Sequence, residues 1–349
     1  MKILIITQKV DESDDILGFF VSWIEAIGRK VDKIDVICLA KGKYNLSNNV
    51  SVVSLGKEKG FPKIFRVIIF YFYLLCILPR VDGVFVHMAP EYVKALHPLN
   101  IFFKKPIVMW YAHIKVSNTA KWAMEHVDYI LTPSKESFEM DSPKVIATGH
   151  GINTEIFEPL NLEPELDVLA ISRISRVKRL ETLIEAAWIL KGRGKSPSIS
   201  IYGKPARPED QEYFAELKRK VRTYHLGNID WRGSVANMDT PKIYASHRLH
   251  VRMQGGGGFG KTELEAMSMG IPSIVPTSVY IKDLNDFGSG LYFKEDDAEE
   301  LANKIEKVLA WNKKRRQKYA TIARKLVVEK HNVNNMAEKF VNLLKSCVV

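Results

Sequence analysis

Short apolar runs alternate along this chain with longer segments that carry apolar residues at helical spacing. The runs at 2–7, 35–39, 83–87, 107–111, 129–132, 168–172, 198–202 and 271–275 read as strands. Residues 249–253 alternate enough to form another. After Lys178, the residues Leu180, Leu183, Ile184, Ala187 and Leu190 recur at helical spacing. Repeated strand-then-helix order predicts an α/β protein with parallel sheets covered by helices on both faces, and such sheets bind ligands beyond the carboxyl ends of their strands. Pro159 to Pro164, two prolines among acidic residues, is the best hinge. It divides the chain into domains at 1–160 and 161–325, followed by a tail at 326–349. In that tail Val333, Met336, Ala337, Phe340, Val341 and Leu344 form one apolar stripe.

The segment from Gly255 to Pro272 carries the chemistry. Four glycines, Gly255 to Gly258, precede Phe259, Gly260, Lys261 and Thr262, and Thr262 to Met269 is rich in helix formers before Gly270 and Pro272 stop it. A glycine loop lets backbone approach a ligand, and a helix start aims N–H groups and a positive dipole end at it. This is a phosphate site in outline. The spacing Gly255, four residues, Gly260-Lys261-Thr262 satisfies the P-loop pattern in full. On that reading Lys261 meets the β- and γ-phosphates and Thr262 holds Mg²⁺ in a nucleoside triphosphatase or phosphotransferase. Against it, no later apolar strand ends in an acidic residue, and the next one runs into Pro276 and Thr277.

Leu264-Glu265-Ala266-Met267-Ser268-Met269-Gly270-Ile271-Pro272-Ser273-Ile274-Val275 also resembles the signature of retaining glycosyltransferase family four, whose fold is GT-B. Three further segments resemble that family in the same order. They are Val145 to Pro159, Ser172-Arg173-Ile174-Ser175-Arg176-Val177-Lys178, and Gly288-Ser289-Gly290-Leu291. Four ordered segments outweigh one eight-residue loop. The resemblance implies two Rossmann-like domains facing across a cleft, with the tail helix crossing back to an acceptor-side N-terminal domain. It implies a hexosyl-type, retaining transfer of a sugar from a nucleoside-diphosphate-sugar donor to a hydroxyl acceptor, with a lipid-linked or cell-envelope glycan as one reading of that acceptor. By the same resemblance Arg173 and Lys178 neutralise the diphosphate, the amides of Gly258, Phe259, Gly260, Lys261 and Thr262 cradle it, and Glu265 binds the ribose. Gly233 and Val235 flank the base, Gly18 is the counterpart of the family's diphosphate-admitting turn, and His113 lies near the sugar. His87 is a weaker candidate at the same edge. No D-x-D sequence occurs, so no metal ligand and no cofactor are expected beyond the donor itself, and fixed cations carry the charge.

One departure stands out. The family's first motif glutamate falls at Gly257. Glu263 and Glu265 point roughly 200° apart on a helix, whereas Lys261 and Glu265 share a face. The missing carboxylate keeps a third reading open, a non-catalytic relative that binds nucleotide sugar without turnover.

Composition narrows the rest. The 349 residues are 46% apolar and 26% charged, ordinary for a two-domain globular chain. Cys38, Cys76 and Cys347 lie far apart, which fits a reducing cytoplasm and gives no zinc spacing. A net charge of +11 admits anionic ligands, but no nucleic-acid motif accompanies it. The dense run Lys313 to Lys318 reads as a solvated helix face, and His247 and His250 read as structural. Residues 67–78 are twelve without a charge, too short for the ~20 that span a bilayer. They read either as a buried helix or, given Lys41, Lys43, Lys57, Lys59, Lys63 and Arg66 upstream, as a peripheral contact with an anionic membrane surface.

Overall fold

The computed structural model describes residues 1–112, 116–137, 142–256 and 258–347, with the backbone alone at Tyr280 and Asn285. It divides into two compact units. The first comprises Met1–Asn153, Ala236–Met238 and the segment from Lys330, and the second comprises Thr154–Val235 and Asp239–Glu329.

In the first unit β1 (Lys2–Val10), β2 (Lys33–Lys41), β3 (Val50–Ser54), β4 (Gly83–His87), β5 (Ile107–Trp110), β6 (Tyr129–Thr132) and β7 (Val145–Ala147) form a parallel sheet. Among the described residues its order is β3-β2-β1-β4-β5-β6-β7. The strands read as continuous apolar runs because both faces are covered. Ile3 and Ile5 enter a cluster with Phe20, Trp23, Phe85 and Phe340, while Leu4 and Ile6 enter the opposite one with Phe70, Leu74, Val93 and Met109. That two-residue period is the strand geometry itself.

The second unit carries β8 (Leu166–Ile171), β9 (Ile199–Tyr202), β10 (Ile229–Gly233), β11 (His247–Val251) and β12 (Ser273–Ile274), in the order β10-β9-β8-β11-β12. Both sheets run outward in two directions from their first strand. Each therefore has a topological switch point, between β1 and β4 and between β8 and β11, where doubly wound sheets open a crevice for ligands. Strands β3 and β10 escape the apolar pattern because they are sheet edges with largely uncovered side chains. The pairing of β12 is confined to two residues because Pro272 and Pro276 flank it and lack the N–H a ladder needs.

Three segments differ from a simple polarity reading. Arg316, inside the basic run, is partly buried and donates to the carbonyls of Trp311, Arg248, Val308 and Leu309, so it closes the end of helix Ala298–Leu309 instead of facing water. Arg324 donates to the carbonyls of Ser268 at 2.7 Å and Phe157 at 3.0 Å, which pins the start of the second unit to the end of helix Lys261–Ser268. Helix Lys63–Ile77 buries only Phe70, Leu74 and Ile77, so the expectation of a buried helix holds for one face alone.

Helix Val333–Cys347 packs on the first sheet through the stripe visible in the sequence, burying Val333, Met336, Ala337, Phe340, Val341 and Leu344. Reciprocal backbone bonds from Val333 to Ile152 (2.9 Å) and from Ile152 to His331 (2.7 Å) fix its entry. The ring of Phe340 lies 4.6 Å from that of Phe85, and a side chain at Gly83 would stand 2.5 Å from Leu344. Phe340→Ala should therefore destabilise the first unit by about 3–5 kcal/mol. The check is the urea midpoint of the unfolding transition reported by that unit's tryptophans, and a shift below about 1 kcal/mol would contradict the packing described.

Candidate functional site

The switch point of the second unit is where the chain gathers charge. As β8 ends, the backbone passes through Ser172 and Arg173 into a turn containing Lys178. Arg179 takes a left-handed φ of 52° and helix Leu180–Gly192 begins. As β11 ends, Arg252, Met253 and Gln254 lead into the glycine loop and helix Lys261–Ser268. These two exits lie on adjacent strands. The Lys178 ammonium donates to Gln254 Oε1 at 2.6 Å, which joins them.

Lys178 is largely shielded from water. Burial is the main cause of a pKa lowered to about 8, and the positive charges of Arg173 and Arg252 press in the same direction. Glu263 opposes the shift. Its carboxylate is fully buried, forms an ion pair with Arg252 Nε, accepts from Arg252 Nη2 at 3.1 Å, and accepts from the Gly260 amide at 2.5 Å. That last bond is a helix-capping contact, an acidic side chain three residues in reaching back to the N-cap. Burial raises the Glu263 pKa, while Arg252, the Gly260 amide and Lys178 hold it down. Space at Gly260 is tight. A Cβ there would meet Glu263 Oε2 at 2.9 Å and Arg252 Cδ at 3.4 Å. The loop's first residue is held too, since the Gly255 amide donates to Glu295 Oε1 at 2.7 Å and Glu295 pairs with Arg179 at 2.9 Å.

Deeper in the same helix, Glu265 is 3% exposed and accepts from the Tyr244 hydroxyl at 3.0 Å. Tyr244 also reaches the Thr262 carbonyl at 2.9 Å, and burial drives its own pKa far up. Lys261 sits one turn before Glu265. Burial lowers its pKa, and the Glu265 charge opposes that shift, as their common helix face requires. Phe259 is buried beside the loop.

The other candidates divide. Gly233, at the end of β10 with φ 70°, accepts through its carbonyl from the Gly203 amide at 2.7 Å. A side chain on Gly203 would stand 1.8 Å from the Ser172 carbonyl. Gly233 and, two residues on, Val235 thus belong to the same carboxyl edge as Arg173. Gly18 belongs to the first unit, in the turn after β1. Its amide donates to the Asp14 carbonyl at 3.1 Å, and a Cβ would meet that oxygen at 2.5 Å. His113 and Gly257 lie outside the described residues. His87 is sealed among aromatic rings, stacked on Phe20 at 3.9 Å and 3.2 Å from the Thr7 hydroxyl. His247 and His250 are buried against Ile243 and Ser273, and burial takes His250 down to about 3. Residue-level sequence reasoning missed Arg252, Gln254 and the inward turn of Glu263. The available signal was Gly260 followed three residues later by Glu263 at a helix start.

The chain resembles known proteins in sequence and fold. This chain belongs to the glycosyl transferases group 1, whose family model matches residues 152–345 and so runs through the glycine loop. The Agrobacterium fabrum mannosylfructose-phosphate synthase is 29% identical over 111 residues, 31% of this chain and 24% of that protein. The GtfA subunit of a Streptococcus gordonii UDP-N-acetylglucosamine–peptide N-acetylglucosaminyltransferase is 22% identical over 152 residues, 44% of this chain and 28% of that one. The matched stretches thus span about a quarter of these curated relatives' length. Among solved structures, Anabaena Alr3699/HepE in complex with UDP and glucose superposes with a TM-score of 0.75 at 16% identity, covering 99% of this chain and 100% of that one. Sucrose-phosphate synthase from Thermosynechococcus elongatus gives 0.80 at 17%, covering 99% of each. The fold is GT-B, two Rossmann-like units.

Lys178 supplies a direct check on the electrostatics. With its lysines carrying ¹³C-methyl labels, the resonance lost in Lys178→Met should titrate near pH 8. Glu263→Gln should move the midpoint lower, because it removes the charge that raises it. A depressed folded value means that the unfolded chain holds this proton longer. Lys178 therefore makes stability rise with pH between about 8 and 10.5, with its full penalty present below 8. A midpoint above 10 would contradict the burial described.

Proposed function

We propose that the chain transfers a sugar from a nucleoside-diphosphate-sugar donor to an acceptor hydroxyl, with retention of anomeric configuration. The observation that carries this is the gathering of Lys178 and Arg252 about the buried carboxylate of Glu263, with the charge of Arg173 acting on Lys178 at the same switch point. Three positive charges against one negative leave an excess that a diphosphate would neutralise. The helix that starts at Lys261 adds its dipole and N–H groups to the same place.

In this reading the two phosphates lie against Arg173 and Lys178, with the amides from Gly258 to Thr262 beneath them. As the bond from the sugar's anomeric carbon to the diphosphate oxygen breaks, negative charge grows on that oxygen, and cations already in place stabilise it without reorganising. Fixed cations thus take the charge in a metal-independent transfer. In the same reading Glu265, which accepts from the Tyr244 hydroxyl, binds the ribose hydroxyls, and Gly233 to Val235 flank the base. For Gly18 and His113 the support is the family resemblance alone. Uridine donors are the first to try, since the Anabaena neighbour was determined with UDP and with UDP-glucose. A lipid-linked glycan acceptor, with a cytoplasmic enzyme working at the inner membrane face, fits the outward apolar helix of the first unit.

Thermal shift against UDP, GDP and ADP and their sugars, without Mg²⁺, tests the donor half. One nucleoside diphosphate should raise the melting temperature. Arg173→Ala or Lys178→Ala should weaken its binding by about 10- to 100-fold, the equivalent of ~1.5–3 kcal/mol for a charge-assisted contact. Stabilisation by ATP with Mg²⁺, abolished by Thr262→Ala, would overturn the reading in favour of a P-loop enzyme. Donor binding without release of nucleoside diphosphate across a panel of acceptor extracts would favour a non-catalytic relative.

A further inference from the structure

Helix Lys63–Ile77 is amphipathic the wrong way round for a helix on a solvated surface. Phe70, Leu74 and Ile77 face the sheet. On the opposite side Ile64, Phe65, Ile68, Phe72 and Leu75 are exposed, at 64%, 57%, 58%, 60% and 53%. At about 100° per residue these five fall within roughly 100° of arc, a single stripe about 17 Å long. Phe61 precedes the stripe and is also exposed. Ile101 and Phe102, exposed at 56% and 79%, end the neighbouring helix Pro90–Phe103.

Between these two helices lies a cavity of about 440 Å³, lined by Leu39, Leu55, Phe70 and Tyr92 among others. Lys63 and Arg66 also line it, with Glu91 the acid among its walls. The Arg66 Nε atom is buried and has no hydrogen-bond partner among the described residues. A buried guanidinium nitrogen left in that state costs free energy unless an anion reaches it. Around the stripe, Lys57, Lys59, Lys63, Arg80 and Lys104 are exposed, against Glu58 and Glu91.

We infer that this face docks on an anionic bilayer. The stripe enters the boundary between head groups and acyl chains, the surrounding lysines meet lipid phosphates, and the cavity seats one anionic lipid with its phosphate on Arg66 and part of a chain against Phe70 and Tyr92. Interfacial helices insert about 5–10 Å, a depth that one exposed stripe supplies. A second copy of the chain is the poorer occupant. The stripe and its neighbours offer about eight apolar side chains, short of the roughly 20–30 residues a side that a stable dimer uses, and apposing two such faces would bring their lysines together. The inference is independent of the donor chemistry.

Vesicle sedimentation tests it on the full chain. The protein should pellet with phosphatidylcholine vesicles containing phosphatidylglycerol, weakly with phosphatidylcholine alone, and less as salt rises. Ile68→Glu with Phe72→Glu should reduce vesicle binding by about tenfold or more while circular dichroism and the nucleotide thermal shift stay unchanged. Arg66→Gln should reduce the preference for the anionic lipid and leave residual binding. Failure to pellet with either vesicle would overturn the inference, as would a glutamate pair that turns a dimer into a monomer without altering vesicle binding. Because the donor assay uses no membrane, a negative result here leaves the nucleotide reading standing, and the reverse also holds.

Discussion

Burying Lys178 next to Arg173 and Arg252 is the constraint on which the second unit turns. Lys178 is drawn largely out of water, and that burial, with the charges of Arg173 and Arg252 pressing the same way, lowers its pKa to about 8. Glu263 returns part of the cost. That carboxylate is itself fully buried, and it is held by Arg252, the Gly260 amide and the charge of Lys178. A group of this kind adds little net stability to a fold. The diphosphate proposed above would meet that excess of positive charge where the strand order opens a crevice.

The loop geometry follows from the same contacts. Arg252 leaves β11 and must reach Glu263 across the start of helix Lys261–Ser268, so the backbone between them passes within a side chain's width of both. A methyl group at 260 would stand 2.9 Å from the carboxylate, so the end of the Glu263 side chain would have to shift to admit it. Gly260 thus borders the ion pair at the helix start. The same glycine completes a P-loop pattern in a chain that belongs to another family. The pattern records a close backbone approach at a helix start, a need the two share.

How much of this could be read from the sequence depends on which residues speak locally. The strands at 2–7, 83–87 and 129–132 stand in the sheet as their apolar runs indicate, and the stripe from Val333 to Leu344 lies inward as its period requires. Lys178 and Glu265 were legible through family resemblance alone, since nothing in their neighbours distinguishes them from surface charge. Arg252 and Gln254 were not legible. Their partners lie 11 and 76 residues away, and only the adjacency of β8 and β11 brings Lys178 to Gln254. Helical geometry alone turns Glu263 away from the face that Lys261 and Glu265 share. The side chain nevertheless folds back to the N-cap, and that choice follows from the free amide there.

The same limit on local reading governs helix Lys63–Ile77. Hydropathy establishes that residues 67–78 avoid bulk water but is silent on which side goes inward. The answer comes from the cations. Lys63 and Arg66 each sit about 100° beyond the nearer end of the exposed arc, toward Phe70, and they line the inner cavity. Had the stripe packed on the sheet, Arg66 would have pointed to solvent, as basic residues normally do. The partly buried Arg66 and the outward phenylalanines are therefore one observation. The helix is oriented for a medium less polar than water on its outer side, with positive charge retained at depth to meet an anionic group.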